Sequence, residues 1–447
     1  MFDLKKFFHI LKKGKASALA KDTITTTIWG SIGKAVGFLV PFFIATWFGV
    51  TRHTDAFFYS YGIIIFLSGL IAPVLENITV PFIVEEKEKK GDVGGFVGRI
   101  LAFTGVGLII LFSLIIPATK FLLPFITNFP DSDLQLVFVL IIEIAPLVIL
   151  ITFSSILAGS LNAYKKFKIP ALSPAFRAII TILFIFSFKG ILGVHAIAVG
   201  YVIGELLRVL ILFIFINRFK LFSFHFYLNL NARIKELFKT ASYQVIGMTT
   251  ISMNLVIDRT MASWLEEGSV SILHYSNILY TIPITFLTIG LMPTLISYWS
   301  SDYYRSSSNL KLKMGIKKIA LIAAFISIFL MIIFIIFSGF IVNLSFKRGE
   351  FDINFLPEIK RVWIFYLLGF SPSIVLRIFK QAHLTIRNTK FLMIAGLISV
   401  LPNVLLNYIL MKYLEVSGIA LATSINSFLW AVVYGIFFYK IVSKNNA

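Results

Sequence analysis

The chain has 447 residues, of which 58% are hydrophobic and 14% charged, and its mean hydropathy is +0.90. A soluble domain cannot bury so much apolar surface, which excludes a soluble enzyme, a disordered chain and a collagen-like fibre. The net charge of +20 would favour nucleic acid in a soluble protein. Lysine and arginine accumulate in the cytoplasmic loops of membrane proteins, so we expect no nucleic-acid partner.

The chain begins with a short basic stretch and continues with long apolar ones. Residues 1–23, which include MFDLKKFFHILKKGKASALAKD, predict an amphipathic helix on the inner leaflet and no cleavable signal peptide. Long unbroken apolar runs indicate membrane-spanning helices and exclude a barrel. The sequence therefore predicts an all-α polytopic membrane protein with twelve transmembrane helices. These lie near 24–49, 55–84, 94–118, 134–160, 171–188, 192–217, 240–265, 270–299, 318–345, 361–385, 391–411 and 416–439.

Basic residues are distributed unevenly over the loops between these spans. If the N-terminus is cytoplasmic, the loops and termini on that side carry 27 lysines and arginines, and the opposite face carries 8. Because such residues concentrate on the cytoplasmic side, the bias predicts an even number of spans and two cytoplasmic termini.

The longest polar interruption divides the chain into two similar halves. ATWFGVTRHTDAFFYS from Ala45 resembles ASWLEEGSVSILHYS from Ala262, and HAIAVGYVIG near Ile197 resembles SGIALATSIN near Ile419. Parallel repeats of this kind are typical of transporters that bind their substrate between two lobes. We predict an N-lobe (24–217), a cytoplasmic linker (218–239) and a C-lobe (240–447), each lobe with six helices.

Charged side chains inside the predicted spans point to a polar interior. Each costs a few kcal/mol in lipid, so we expect these groups to face protein or water. The cations are Lys34, Arg177, Arg208, Arg259, Arg377 and Lys380, and the acids are Glu76, Glu143, Glu205 and Asp258.

Several of these charges have a structural interpretation. Glu205 and Arg208 lie three positions apart on one helix face, as an ion pair would. Glu143 precedes Pro146, which frees a backbone carbonyl for water, a cation or helix packing. We therefore assign Glu143, Glu205 and Arg208 to ion pairing or to ion coupling. Arg377 and Lys380 lie near the inner end of the tenth span, where their side chains can extend to the interface.

Four segments resemble the MurJ (MviN) lipid II flippases of the MOP (multidrug/oligosaccharide-lipid/polysaccharide) exporter superfamily. They are SIGKAVGFLVPFFIATWFGVTRHTDAFFYSYGI (31–63), LNAYKKFKIPALSP (161–174), NLVIDRTMASWLEEGSVSILHYSNILYTIP (254–283) and SGIALATSIN (417–426). The resemblance covers essentially the whole chain. It implies two six-helix lobes of the MOP/MATE type around a central cavity, alternating access and export of a lipid-linked saccharide.

The resemblance also implies where the substrate binds. Lys34 matches the first cavity arginine of that family, and Asp55 matches its Thr-Asp-Ala-Phe-Phe motif. Val40 and Ile278 stand where the family has further arginines, and the family has fourteen helices, so the glycan remains open. We predict a substrate cavity lined by Lys34, Asp55, Glu76, Asn77, Asp258, Arg259 and Asn277. For Asp55 a helix cap is the alternative, and for Asp258 a counter-ion to Arg259 or a ligand for a coupling cation.

The preferred function is therefore a flippase of the bacterial inner membrane that carries lipid II or a related polyprenyl-pyrophosphate-linked glycan. A MATE-type drug or cation antiporter is the alternative, although Lys34 stands where such a protein usually has an acid. A membrane transferase and a non-transporting scaffold are less favoured. The six histidines show no metal-ligand spacing, and cysteine is absent, so we expect no enzyme chemistry, metal or resident cofactor. We expect a coupling cation (Na+ or H+) or the membrane potential as energy source. Lipids and glycan-assembly enzymes are the expected partners.

Overall fold

The computed structural model describes residues 15–225, 227–288, 299, 309–386 and 388–444. Residues 1–14 of the predicted basic segment and residues 289–298 of the predicted eighth span lie outside this part of the chain.

The first half of the described chain is built from helices that match the first six predicted spans. The fourth span consists of two helices, α4 and α5, that meet at Pro146, because proline lacks the N–H that a continuous helix requires. The helices are α1 (Lys15–Phe48), α2 (Arg52–Glu88), α3 (Val93–Ile126), α4 (Asp131–Ile144), α5 (Pro146–Ala163), α6 (Lys168–Leu192) and α7 (His195–Arg218).

The second half follows an irregular connection, which is described at residues 219–225 and 227–231. Its ninth and tenth predicted spans are each divided into two helices. The elements are α8 (Ala232–Ala262), α9 (Ser269–Thr288), α10 (Asn309–Ile336), α11 (Ser338–Phe346), a 3-10 turn (Ile353–Phe355), α12 (Leu356–Leu368), α13 (Phe370–Thr385), α14 (Thr389–Leu414) and α15 (Val416–Lys444).

Ten of the described helices are long and apolar enough to cross a membrane. The segments Ile353–Leu368 and Phe370–Thr385, bent by 41° relative to each other, add an eleventh crossing if they form one span. The helix at the predicted seventh span, α8, is not among them, because polar residues such as Asn254, Asp258 and Arg259 interrupt its apolar surface. The predicted all-α membrane architecture is confirmed, while the count of twelve and the position of the termini stay predictions.

Two apolar clusters hold the helices together. The first includes residues of both halves, among them Phe57 and Phe58 of α2, Tyr275 of α9 and Phe346 of α11. The second joins the inner parts of α2, α3, α5 and α7 to the start of α8, where Ile234 and Leu237 are fully buried. The halves thus share an apolar core near the beginning of α2, which is the predicted outer end.

The start of α8 is also fixed to the first half by charge. Arg233 hydrogen-bonds Glu85 of α2 and donates a second hydrogen bond to Glu236 at 3.1 Å. The hydrogen bond to Glu85 raises the pKa of Arg233. This end of α8, which lies within the predicted linker (218–239), is therefore packed on the first half.

Candidate functional site

Asp55 joins the two halves at the predicted outer end. Its carboxylate is buried and accepts hydrogen bonds from the backbone N–H groups of Gly268 (2.7 Å) and Ser271 (2.8 Å), and from the Ser271 hydroxyl (2.5 Å). The first N–H groups of a helix have no partner within it and carry partial positive charge. Asp55, near the start of α2, therefore caps α9 of the opposite half.

Further contacts between the halves surround this cap. Arg52 Nε donates to Glu267 at 2.6 Å, and the Tyr275 hydroxyl donates to the carbonyl of Gly49 at 3.1 Å. Gly49 has a φ of +63°, and its carbonyl is presented by the turn between α1 and α2. These bonds, together with the shared apolar core, close the outer end between the halves.

Arg259 lies just inside this closed end, and its side chain also forms contacts between the halves. Its guanidinium donates to the carbonyl of Phe58 in α2 and lies 2.7 Å from His274 Nδ1. The Phe58 ring is stacked on His274, with centroids 4.0 Å apart. Gly62 permits this approach, since a Cβ there would lie 2.5 Å from Arg259 Nη1. Arg259 is therefore buried between two halves.

Lys34 has open surroundings. It is exposed on α1, and added Cβ atoms at Gly30 and Gly37, one turn before and one turn after it on the same face, would meet nothing within 4 Å. Gly33 lies on a different face of α1, the one that packs on α6. A Cβ added at Gly33 would lie 2.6 Å from the carbonyl of Ala171. Lys34 interacts electrostatically with Arg377 of α13, and no carboxylate acts on it within the described chain. A cation of each half thus lies within electrostatic range of the other.

A charged cluster occupies the interior of the first half. Glu205 is fully buried, and its Oε1 accepts hydrogen bonds from the Ser154 hydroxyl (2.5 Å) and Arg208 Nη1 (2.9 Å). Its Oε2 lies 3.4 Å from Arg177 Nη1. The expected ion pair of Glu205 and Arg208 is present, and Arg177 extends it. Glu76 interacts electrostatically with Arg208.

A polar cavity of about 120 Å³ lies within the second half beside Asp258. Asn407 Nδ2 donates to Asp258 Oδ1 at 2.7 Å, and the Thr423 hydroxyl to Oδ2 at 3.4 Å. The side-chain oxygens of Asn403, Asn407 and Asn426 are buried and have no hydrogen-bond partner among the described residues. Asp258 thus points into its own half and Arg259 towards the other, as the 100° rotation per helical residue requires.

The remaining predicted site residues are dispersed. Glu143 pairs with His195 at the start of α7, at 2.9 Å, and is separate from Glu205. Asn77 is exposed, and Asn277 accepts a hydrogen bond from the Thr281 hydroxyl at 3.4 Å. The structure therefore groups Asp55 with Arg259 and Glu205 with Arg208. The assignment of all these residues to a substrate cavity stays a prediction.

Sequence analysis did not assign several residues that the structure places in these groups. Arg177 was recognised as a charge within a span and given no role, and Arg377 was expected to extend to the membrane interface. Asn403 and Asn407 were not singled out, although two asparagines four positions apart on an apolar helix mark one polar face. Thr423 offers no comparable signal, because a lone threonine is common in membrane helices.

Comparisons with known proteins agree with this architecture. The family model described as "Lipid II flippase MurJ" matches residues 44–446. Two curated relatives are named "Probable lipid II flippase MurJ". The protein of Buchnera aphidicola from Acyrthosiphon pisum is 27% identical over 92% of this chain and 81% of its own length. That of Borreliella burgdorferi is 26% identical over 95% and 83%.

Solved structures show the same fold. The chain matches "Lipid II flippase MurJ, inward closed conformation" with a TM-score of 0.77 and 23% identity, over 93% of this chain and 87% of the other. It matches "Inward-facing conformation of a multidrug resistance MATE family transporter of the MOP superfamily" with a TM-score of 0.75 and 14% identity, over 94% and 95%. The expected MOP/MATE-like arrangement is confirmed.

Proposed function

Because the chain belongs to the lipid II flippase MurJ family, we propose that it moves a polyprenyl-pyrophosphate-linked saccharide across the bacterial inner membrane. The substrate is lipid II or a related glycan precursor, and the two halves move relative to each other so that an interior site opens to each side in turn. The family consists of multi-pass membrane transporters. Membership therefore supports the proposal that this chain is a transporter and not an enzyme.

Lys34 is the observation that carries this proposal. An ammonium group inside a membrane protein is costly unless it meets protein, water or an anion. Lys34 is exposed between open glycine positions, and its charged neighbour is the cation Arg377. A diphosphate head group would neutralise both charges. With the closed end outside, as the distribution of basic residues predicts, a precursor made in the cytoplasm would enter this interior from the inner side.

The cavity beside Asp258 supports a role in energy coupling. Besides the amine of Lys380, its lining offers a carboxylate, a threonine hydroxyl and asparagine side-chain oxygens that have no hydrogen-bond partner among the described residues. These oxygens are of the kind that hard cations prefer. We propose that Asp258, Asn403, Asn407 and Thr423 hold a coupling cation, Na+ or H+. Bound there, the cation would favour one arrangement of the halves. The membrane potential is the alternative energy source.

The alternative of a MATE-type antiporter is not favoured, because the family model and the curated relatives both belong to the MurJ family. The shared fold with MATE transporters does not distinguish the two functions. A partnership with glycan-assembly enzymes that deliver the substrate on the inner face is part of the proposal.

Reconstitution in vesicles tests the proposed function directly. The purified chain is incorporated into liposomes with fluorescent lipid II, and the fraction accessible to a membrane-impermeant quencher is followed with time. We expect the chain to accelerate equilibration between the leaflets, and a sodium or proton gradient to change the rate. A rate equal to that of protein-free vesicles, for lipid II and for other polyprenyl-diphosphate glycans, would reject the proposal.

A further inference from the structure

The side chains of Arg177 and Arg208 point away from the lipid. Arg177 lies roughly 140° around α6 from the centre of its exposed apolar stripe, taking 100° per residue. Arg208 lies roughly 160° from the corresponding stripe of α7. The stripes consist of Phe176, Ile179, Leu183 and Phe186 on α6, and of Leu206, Leu210 and Ile214 on α7. The accessible surface of both arginines therefore opens into the protein.

A close approach of α6 and α7 fixes the cluster in place. A Cβ at Gly204 would lie 2.2 Å from the Thr181 hydroxyl and 2.8 Å from the carbonyl of Arg177. Glycine lets membrane helices pack at such short distances. Because Glu205 follows Gly204 directly, this contact brings the Glu205 carboxylate to Arg177.

The two arginines are not equivalent. Two donors of Arg208 are occupied by neighbouring side chains. Its Nη1 donates to Glu205, and its Nε donates to the Ser173 hydroxyl at 2.9 Å. Arg177 reaches Glu205 only at 3.4 Å, while 26% of its side chain is exposed, compared with 12% for Arg208. A guanidinium has five N–H donors. Among the described residues Arg177 donates a side-chain hydrogen bond to Glu205 alone, so most of its donors are available to a ligand.

The charge of the cluster leaves Arg177 as its more weakly paired cation. Glu205 and Glu76 both act on Arg208, whereas Arg177 has Glu205 at 3.4 Å as its partner. An additional anion would therefore be bound best by Arg177. We propose that Arg177 binds the diphosphate of the lipid-linked substrate, and that Glu205 and Arg208 are positioning residues that hold its guanidinium. This inference rests on the proposed function. It places a phosphate-binding group in the first half, on a helix other than that of Lys34.

Binding measurements on the intact chain in nanodiscs test this inference. The ligands are a polyprenyl-diphosphate saccharide and its monophosphate analogue, with inorganic pyrophosphate as competitor. Arg177→Gln should weaken binding of the diphosphate lipid about tenfold or more and that of the monophosphate analogue much less. Arg177→Lys keeps the charge but loses the planar fork, so its effect should be intermediate. Arg218→Gln removes an exposed arginine at the inner end of α7 and is the matched control, which should bind as wild type.

The remaining outcomes separate a failure of this inference from a failure of the proposed function. Wild-type affinity of Arg177→Gln for the diphosphate lipid, in a chain that still flips it, overturns this inference and leaves the proposed function intact. Equal losses for both lipids, with a lowered melting temperature, assign Arg177 to the fold alone and also overturn it. Competition by pyrophosphate in the wild type that is lost in Arg177→Gln supports a diphosphate site. A wild-type chain that binds none of the lipids rejects the proposed function itself.

Discussion

Replacing Asp55 by alanine should open the predicted outer end of the protein. The substitution removes three hydrogen bonds that cross between the halves, from Gly268 N, Ser271 N and Ser271 Oγ. Each bond to a charged group contributes about 1.5 kcal/mol at the lower end of the usual range. The closed arrangement should therefore lose about 4.5 kcal/mol relative to the open one, a shift of roughly 2,000-fold in the equilibrium between them.

The distance between spin labels on the two halves measures this shift. The chain has no cysteine, so labels at Asn128→Cys and Lys347→Cys, both exposed near the outer end, need no other substitution. We expect a single short distance in the otherwise unchanged chain and a second, longer population in Asp55→Ala. Asp352→Ala is the matched control, because Asp352 caps Asn354 within its own half at 2.9 Å. A folded Asp55→Ala variant with the distance distribution of the control would refute the reasoning.

The other predictions concern charge, coupling, closure and topology. Lys34→Ala should abolish complementation of a strain that lacks its flippase, and Lys34→Arg should be largely tolerated; normal function of the alanine variant at normal protein levels would remove Lys34 from the site. Asp258→Asn should make flipping in vesicles independent of an imposed cation gradient while substrate binding persists, and an unchanged gradient dependence would exclude the coupling role. Arg259→Gln should lengthen the same spin-label distance by releasing the carbonyl of Phe58, whereas an unchanged distance would show that Arg259 does not hold the closed end. Cysteines in the loop Glu266–Gly268 and in residues 301–316 should be labelled from opposite faces of the membrane, and labelling from one face would refute the twelve-span topology.

Much of the fold could be predicted, because the hydropathy of a segment indicates whether that segment is a membrane-spanning helix. The break at Pro146 follows from one residue and its missing N–H. The 41° bend next to Gly369 was not predicted, because the apolar run from Val362 to Phe370 continues across it. The irregular connection ends at Ala232, eight residues before the predicted seventh span, because Asn231 caps a helix that begins outside the apolar stretch.

The candidate site was harder to predict, since its partners are distant in sequence. The charges were identifiable from their cost in lipid, and the pair of Glu205 and Arg208 from its spacing. The contact of Arg259 with Phe58 spans 201 positions, and that of Asp258 with Asn407 spans 149. Periodicity and spacing carry no information about such contacts. For the same reason Arg177 was recognised as a charge but could not be assigned to Glu205.

The apolar core that the halves share near Phe58, Tyr275 and Phe346 gives the transport cycle a thermal signature. When the outer end opens, aromatic surface that is dry in the closed arrangement becomes hydrated. Each Å² of apolar surface so exposed adds about 0.45 cal/mol/K to the heat capacity. The equilibrium between closed and open should therefore depend on temperature in a curved manner, and cooling should weaken closure. The curvature of the flipping rate with temperature would report how much of this core separates during each cycle.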